Sequence, residues 1–277
     1  RMMRSLWTAA SGMRAQQVNV DTIANNVANI NTIGYKTQQA SFKSLLYQNL
    51  QSTSTNNAGE NKPVAAEVGL GSRVSAITST FTQGNLTHVE NPFSVALEGD
   101  GFFQIRTQCG ELQYTRDGAF DISPVANGNL LCTSDGNPVL DAYGNQIVLP
   151  SNRVATDLVI NQDGTLAFAD GSGNPAVITD ANGRPIKFGI YQFNNPAGLS
   201  KEGGNNYSVT AASGAAIAEN GNAAVKQTKT HQYYTESSNV DVANERVNLI
   251  VAQRAYEMNS KAIQASDEMM QQANALR

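Results

Sequence analysis

Both ends of this chain carry a seven-residue apolar repeat, and nothing else in the sequence limits its folding so strongly. Near the start, Met3, Leu6, Ala10, Met13, Gln17, Val20, Ala24 and Val27 fall in alternating steps of three and four. That spacing returns to one side of an α-helix every two turns. Gln17 is the one interruption, and Trp7 and Ile23 widen the face. The helix is expected to stop at Gly34, a natural C-cap glycine, or earlier at Asn29 or Asn31. At the other end, Ser238 and Asp241 read as a variant capping box. Beyond them Val242, Leu249, Tyr256, Ile263 and Met270 recur every seven residues, and Met269 and Leu276 prolong the stripe. Between them Ala252, Ala255, Asn259, Ala262, Ser266 and Ala273 are mostly small, which lets a second helix approach closely.

The middle has a different period. Between about Ser75 and Gly221, runs such as FSVALEG, GFFQIR, LQYTR and IKFGIYQF are rich in β-branched and aromatic residues. Turn dipeptides divide them: Asp117-Gly118, Asn127-Gly128, Asp135-Gly136, Gly144-Asn145, Asp163-Gly164 and Asn182-Gly183. Asx-Gly pairs supply the positive φ that tight hairpins need, so an all-β sandwich or barrel-like domain is expected. The stretch NLQSTSTNNAGENKP ahead of it is polar and reads as an extended segment that orders against a neighbour. The fold class is therefore α+β. Residues 1–34 with 236–277 form a terminal helical pair, 35–74 with 222–235 a connecting segment, and 75–221 the β-domain.

Charge and composition exclude several classes. The net charge is −4, without the basic stripe of a nucleic-acid-binding domain. No apolar run approaches the roughly 18 residues of a membrane span, and the start has no secretory signal pattern. Only two histidines are present, too few for a zinc site or a Ser-His-Asp triad. Cys109 and Cys132 could form one disulfide or remain two ordinary thiols, and spacing does not decide. Gly99-Asp100-Gly101 before Phe102-Phe103 lacks the spacing of a phosphate loop and reads as a turn into a core strand. Asp135, Asn137 and Asp141, or Asp170 and Asn174, are oxygen-rich but lack EF-hand spacing, so turns are expected. No cofactor, metal or catalytic residue is assigned.

Two alanine- and asparagine-rich helices with apolar residues on several sides leave surface exposed in one copy. Completion by further copies is expected, with packing against the β-domain as the alternative. The expected subunit-interface residues are Leu6, Trp7, Ala10, Met13, Val20, Asn25, Asn26 and Val27 on the first helix. On the second they are Leu249, Ala252, Tyr256, Asn259, Ile263, Met269 and Met270. Asn25, Asn26, Asn29 and Asn19 lie on several sides of the first helix. A carboxamide donates and accepts, so these could fix lateral register between helices; alternatively Asn29 and Asn31 only begin the helix end. Net charges of +3 over residues 1–36 and −2 over 236–277 favour pairing of the ends. Exposed ion pairs contribute only about 0–1 kcal/mol each, so apolar burial must stabilise the pair.

SLWTAASGMRAQQVNVDTIANNVANINTIGYK resembles the N-terminal signature of bacterial flagellar basal-body rod and hook proteins. ESSNVDVANERVNLIVAQRAYEMNSKAIQASDEMM resembles the matching C-terminal end. GSRVSAITSTFTQGNLTHVENPFSVALEGDGFFQIR and YTRDGAF are similar to the FlgF/FlgG branch, and the polar insertion after Leu45-Leu46-Tyr47 resembles a stretch of its distal-rod member. The resemblance implies a structural subunit of a hollow helical shaft that transmits torque from motor to hook. Terminal helices would form a coiled-coil inner layer around the channel, and the β-domain an outer one. It implies as partners other copies, neighbouring rod proteins and the hook, the P and L rings where an outer membrane exists, and the type III export apparatus that passes the chain unfolded. The insertion from Gln51 to Lys62 would bridge subunits. Two other readings are a proximal-rod or hook paralogue and, more distantly, a secreted glycan hydrolase or adhesin. The hydrolase would need two converging carboxylates and has no use for heptad-striped ends.

Overall fold

The computed structural model describes residues 2–51, 66–126, 128–151, 153–169, 175–180, 182–222 and 225–275. The chain divides into two compact units. Unit 1 comprises residues 1–28, 38–79 and 241–277; unit 2 comprises 29–37 and 80–240.

Unit 1 contains both long helices, α1 (Met2–Ala28) and α2 (Val242–Ala275). Of the expected helix ends, the earlier one is right: α1 stops at Ala28, and Asn29 and Thr32 form a turn in which the Thr32 N–H donates to the Asn29 carbonyl. At the start of α2, Asp241 rather than Ser238 is the cap. Its carboxylate accepts the Ala243 N–H at 2.9 Å, and its carbonyl takes the first helical bond, from Glu245. Ser238 instead accepts the Val240 N–H, one turn too early to cap.

Four strands complete unit 1: β1 (Gln38–Ser44), β2 (Tyr47–Gln51), β3 (Ala66–Gly69) and β4 (Ser72–Ser79). β1 pairs antiparallel with β4, and β2 with β3. The Leu45 N–H to the Gly71 carbonyl and the Leu70 N–H to the Leu46 carbonyl join both pairs into one long ribbon. The sequence expectation of a connecting segment over 35–74 thus meets regular strands at its described residues. The bridging insertion is named as Gln51–Lys62, and from residue 52 on it lies outside the described residues.

Unit 2 holds β5 (Leu86–His88), β6 (Val95–Glu98), β7 (Phe102–Arg106), β8 (Leu112–Thr115), β9 (Phe120–Val125) and β10 (Gly128–Thr133). Next come β11 (Val148–Leu149), β12 (Leu158–Ile160), β13 (Leu166–Ala169), β14 (Pro175–Val177) and β15 (Ile190–Gln192). The last are β16 (Ser200–Gly203), β17 (Asn206–Ser208), β18 (Ile217–Ala218), β19 (Lys229–Gln232) and β20 (Tyr234–Glu236). Its largest sheet runs β16-β17-β8-β7-β15-β18.

β7 explains why GFFQIR is apolar on both sides. Side chains alternate across a strand, so Phe103 and Ile105 enter one core with Val95, Leu97, Phe120, Leu131 and Phe188. Phe102 enters a second core with Tyr114, Phe193, Leu199 and Tyr207. Gln104, the polar member, donates to the Tyr114 hydroxyl at 3.3 Å.

Asn127 lies outside the described residues; the other expected turn pairs are described, but not all serve the expected purpose. Gly136 has φ +80° in a hairpin tip closed by the Thr133 and Asn137 backbones, a position suited to glycine. Gly118 is needed for close approach instead: a Cβ there would stand 1.7 Å from the Val95 carbonyl oxygen. Asp141 is buried and its Oδ1 accepts the Tyr143 and Asn145 N–H groups at 2.8 Å each, an Asx turn. Asp170 and Asn174 lie outside the described residues. Cys132 is buried, Cys109 is exposed, and both are free thiols.

Candidate assembly surface

The two helices of unit 1 run antiparallel and meet along small and polar side chains. Ser5 Oγ lies 3.2 Å from Ser266 Oγ. Gly12 faces Asn259 so closely that a Cβ would stand 2.9 Å from its Nδ2. Asn26 Nδ2 donates to Glu245 Oε1 at 3.3 Å. Steps of seven on α1 thus match steps of seven on α2, and the remaining step sets Asn19 level with the buried Ala252. The seam is the small-residue row rather than the large one. Close backbone approach favours the row with the least side chain, and the large row is turned aside, with Leu249, Ile263 and Met270 half-buried and Val242 and Tyr256 exposed.

Within one copy the expected interface residues divide into three groups. Trp7 (73% exposed), Asn25, Val27, Tyr256 and Met269 remain open to solvent. Leu6, Ala10, Met13, Val20, Leu249, Asn259, Ile263 and Met270 are half-buried. Asn26 and Ala252 are each 1% exposed and are occupied inside unit 1, leaving no surface for a neighbour. Asn26 meets the start of β1: its Nδ2 donates to the Gln38 carbonyl at 2.8 Å and its Oδ1 accepts the Gln38 N–H at 2.9 Å. This closure satisfies a backbone pair and fixes where the ribbon leaves the helix.

Sequence reasoning missed an open apolar face on α2. Val247, Val251, Met258 and Met269 are exposed, and at about 100° per residue they lie within an arc of about 40°. Glu245, Ala252 and Ser266 are the buried residues of that helix and project well away from that arc. The steps of four, seven and eleven that join the open residues are legible in the sequence, but apart from Met269 they lie off the rows read from Val242 and Ala252. The ribbon adds Phe42, Tyr47, Ile77 and, most exposed, Leu46 at 83%. Exposed apolar surface of this extent marks association.

Unit 2 takes up the residues that follow α1 and precede α2. Gly34, with φ +69°, donates its N–H to the Glu236 carbonyl at 2.8 Å. Lys36 Nζ lies 2.6 Å from Glu236 Oε1 and donates to the Thr82 carbonyl at 2.8 Å. Arg116 Nε faces Glu236 Oε2 at 3.1 Å, while its guanidinium donates to the Gly99 carbonyl and sits over the Phe102 ring. All three side chains are buried, so one carboxylate serves two cations. Burial lowers the Lys36 amine from its ordinary range, Arg116 lowers it further, and Glu236 opposes both. Burial also pushes the neighbouring Tyr207 phenol up to about 12.

Among the described residues no group of three or more His, Cys, Asp or Glu side chains could hold a metal ion. No described helix is long and apolar enough to cross a membrane.

Three family models match. Residues 6–36 match the flagella basal body rod protein family, 96–168 the flagellar hook protein FlgE/F/G D1 domain, and 231–276 the flagellar basal body rod FlgEFG protein C-terminal family. The chain is 43% identical to the flagellar basal-body rod protein FlgG of Borreliella burgdorferi, over 100% of this chain and 99% of the relative. It is 42% identical to that of Agrobacterium fabrum, over 96% and 97%. It is 38% identical to that of Caulobacter vibrioides, over 99% and 100%.

Proposed function

The chain belongs to the flagellar basal-body rod protein family, and from that premise we propose that it is a structural subunit of the flagellar rod that builds a shaft by self-association. The carrying observation is the length of the likeness: relatives at 38–43% identity match it across nearly the whole chain and share one rod-protein name. That shared name favours the distal rod over a proximal or other paralogue.

In this reading the helix pair of unit 1 forms a coiled-coil-like inner layer around a channel, and the β-domain a sandwich- or barrel-like outer layer. The three-part division drawn from the sequence belongs to the same proposal, with 35–74 as the connector between layers. The open α2 face, Trp7 and the ribbon residues Leu46 and Tyr47 meet neighbouring copies. The chain reaches its periplasmic site through the flagellar type III export channel, joins other rod proteins and the hook, and turns inside the P and L rings where these exist. Its work is mechanical: packing must carry torque, so no reacting group is called for.

The experiment is replacement of the chromosomal copy with an epitope-tagged one, followed by isolation of basal bodies and immuno-electron microscopy. Label along the rod is expected, and loss of rod and motility when the gene is deleted. Intact rods without the chain would overturn the assignment.

A further inference from the structure

We propose that unit 2 is closed by a strap, Thr228–Asn239, and that the unit cannot fold before this late segment of the chain is present. The strap is the last part of unit 2 in sequence, yet its partners are spread over the whole unit. Among the described residues β19 is the only strand paired with β6, and β20 the only one paired with β5. Glu236 supplies the carboxylate that is ion-paired with both buried cations, Lys36 and Arg116, and it accepts the Gly84 N–H at 2.8 Å.

Two amides of the strap do similar work. Gln232 Nε2 donates to the Pro92 and Leu158 carbonyls at 2.8 and 2.7 Å, and its Oε1 accepts the Ile160 N–H at 3.0 Å. Asn239 Oδ1 accepts the Thr37 N–H and hydroxyl at 2.7 and 2.8 Å, and its Nδ2 donates to the Thr80 carbonyl at 2.9 Å. Gln232 thereby joins segments more than sixty residues apart, and Asn239 reinforces the place where the Thr80 N–H donates to the Thr37 carbonyl at 2.8 Å.

A chain that ends before Thr228 keeps both buried cations and loses the carboxylate paired with them. It also leaves strand β6, whose Val95 and Leu97 lie in the main core, with an unpaired edge. Buried charges and backbone groups without partners are the states a fold avoids most strongly. The strap therefore works as a donor strand held in the same chain, and it makes folding of the unit contingent on near-completion of the polypeptide. Its value for a chain exported unfolded rests on the rod reading; the gate itself does not.

The test is a force profile of the nascent full-length chain, in which a translation-arrest peptide reports folding at each length. Unit 2 is expected to give no folding signal when β18 (Ile217–Ala218) has cleared the ribosome, and a strong one once Asn239 has cleared. Glu236→Gln should cut that late signal at least several-fold, whereas Lys36→Met, which leaves a one-to-one Arg116–Glu236 pair, should largely keep it. A signal already present before Thr228 emerges, or one indifferent to Glu236→Gln, would overturn the proposal. Neither result bears on where the protein resides, which the basal-body labelling decides separately.

Discussion

Gly12 on α1 and Asn259 on α2 touch with no room between them: a Cβ on the glycine would come within 2.9 Å of the amide nitrogen and 3.2 Å of its Cγ. The contact sets how closely the helices lie, and the obstructing atoms belong to a side chain that can turn. Gly12→Ala should therefore change unit 1 stability by no more than about 1 kcal/mol, because the gain in helix propensity offsets the displacement of Asn259. Gly12→Leu should drive the helices apart and lower the thermal midpoint by several degrees in circular dichroism.

The buried ion group of unit 2 should respond asymmetrically. Glu236→Gln leaves Lys36 and Arg116 facing each other without a counter-charge, so a loss of about 3–5 kcal/mol is expected in denaturant unfolding. Lys36→Met removes one of two cations from a single carboxylate and relieves the cost of burying the amine. It should cost clearly less than Glu236→Gln. Equal losses would contradict the sharing of one carboxylate.

Glu245 gives a pH dependence with a definite sign. Burial raises its carboxyl above the ordinary range, Asp241 raises it too, and the hydrogen bond from Asn26 opposes them. A carboxyl raised on folding favours the native state below its unfolded value, and that contribution is lost as pH rises through the folded value. Glu245→Gln keeps an acceptor for Asn26 and removes the charge. The variant should melt higher than the parent at pH 7, with the difference vanishing in acid below the ordinary carboxylate range.

Asn25 and Asn26 are neighbours with separate duties. Asn26→Ala strips the Gln38 N–H and carbonyl of their partner and should destabilise unit 1 by about 1–3 kcal/mol, leaving unit 2 amide protection unchanged in hydrogen exchange. Asn25 is exposed. Asn25→Ala should leave the stability of the isolated chain within about 0.5 kcal/mol while reducing rod assembly, measured as motility in soft agar.

Much of this architecture was legible before any coordinates. The heptad steps gave both helices, and Asx-Gly pairs such as Asp135-Gly136 gave the hairpin tips, because period and positive φ are local properties. What was not legible depends on contacts distant in sequence. Nothing around Asn26 announces that it will close on Gln38, and nothing around Lys36 announces a carboxylate two hundred residues away. The small row that the sequence offers for close approach is the seam, at Gly12 and Asn259, but which of the two rows forms it depends on the partner helix and is not a local property. The α2 face was passed over because Val247, Val251 and Met258 lie off the seven-residue row of Val242, Leu249 and Tyr256, although their own steps of four and seven fit a heptad.

The central claim is that the apolar face of α2 is covered by other copies of this chain. Its most direct test places a photo-crosslinking amino acid at Val251 in the intact protein and irradiates isolated basal bodies. The account predicts a ladder at multiples of the chain mass, absent when the crosslinker replaces an exposed residue of unit 2 such as Glu111. A product confined to the single-chain mass, from basal bodies that contain the protein, would contradict it.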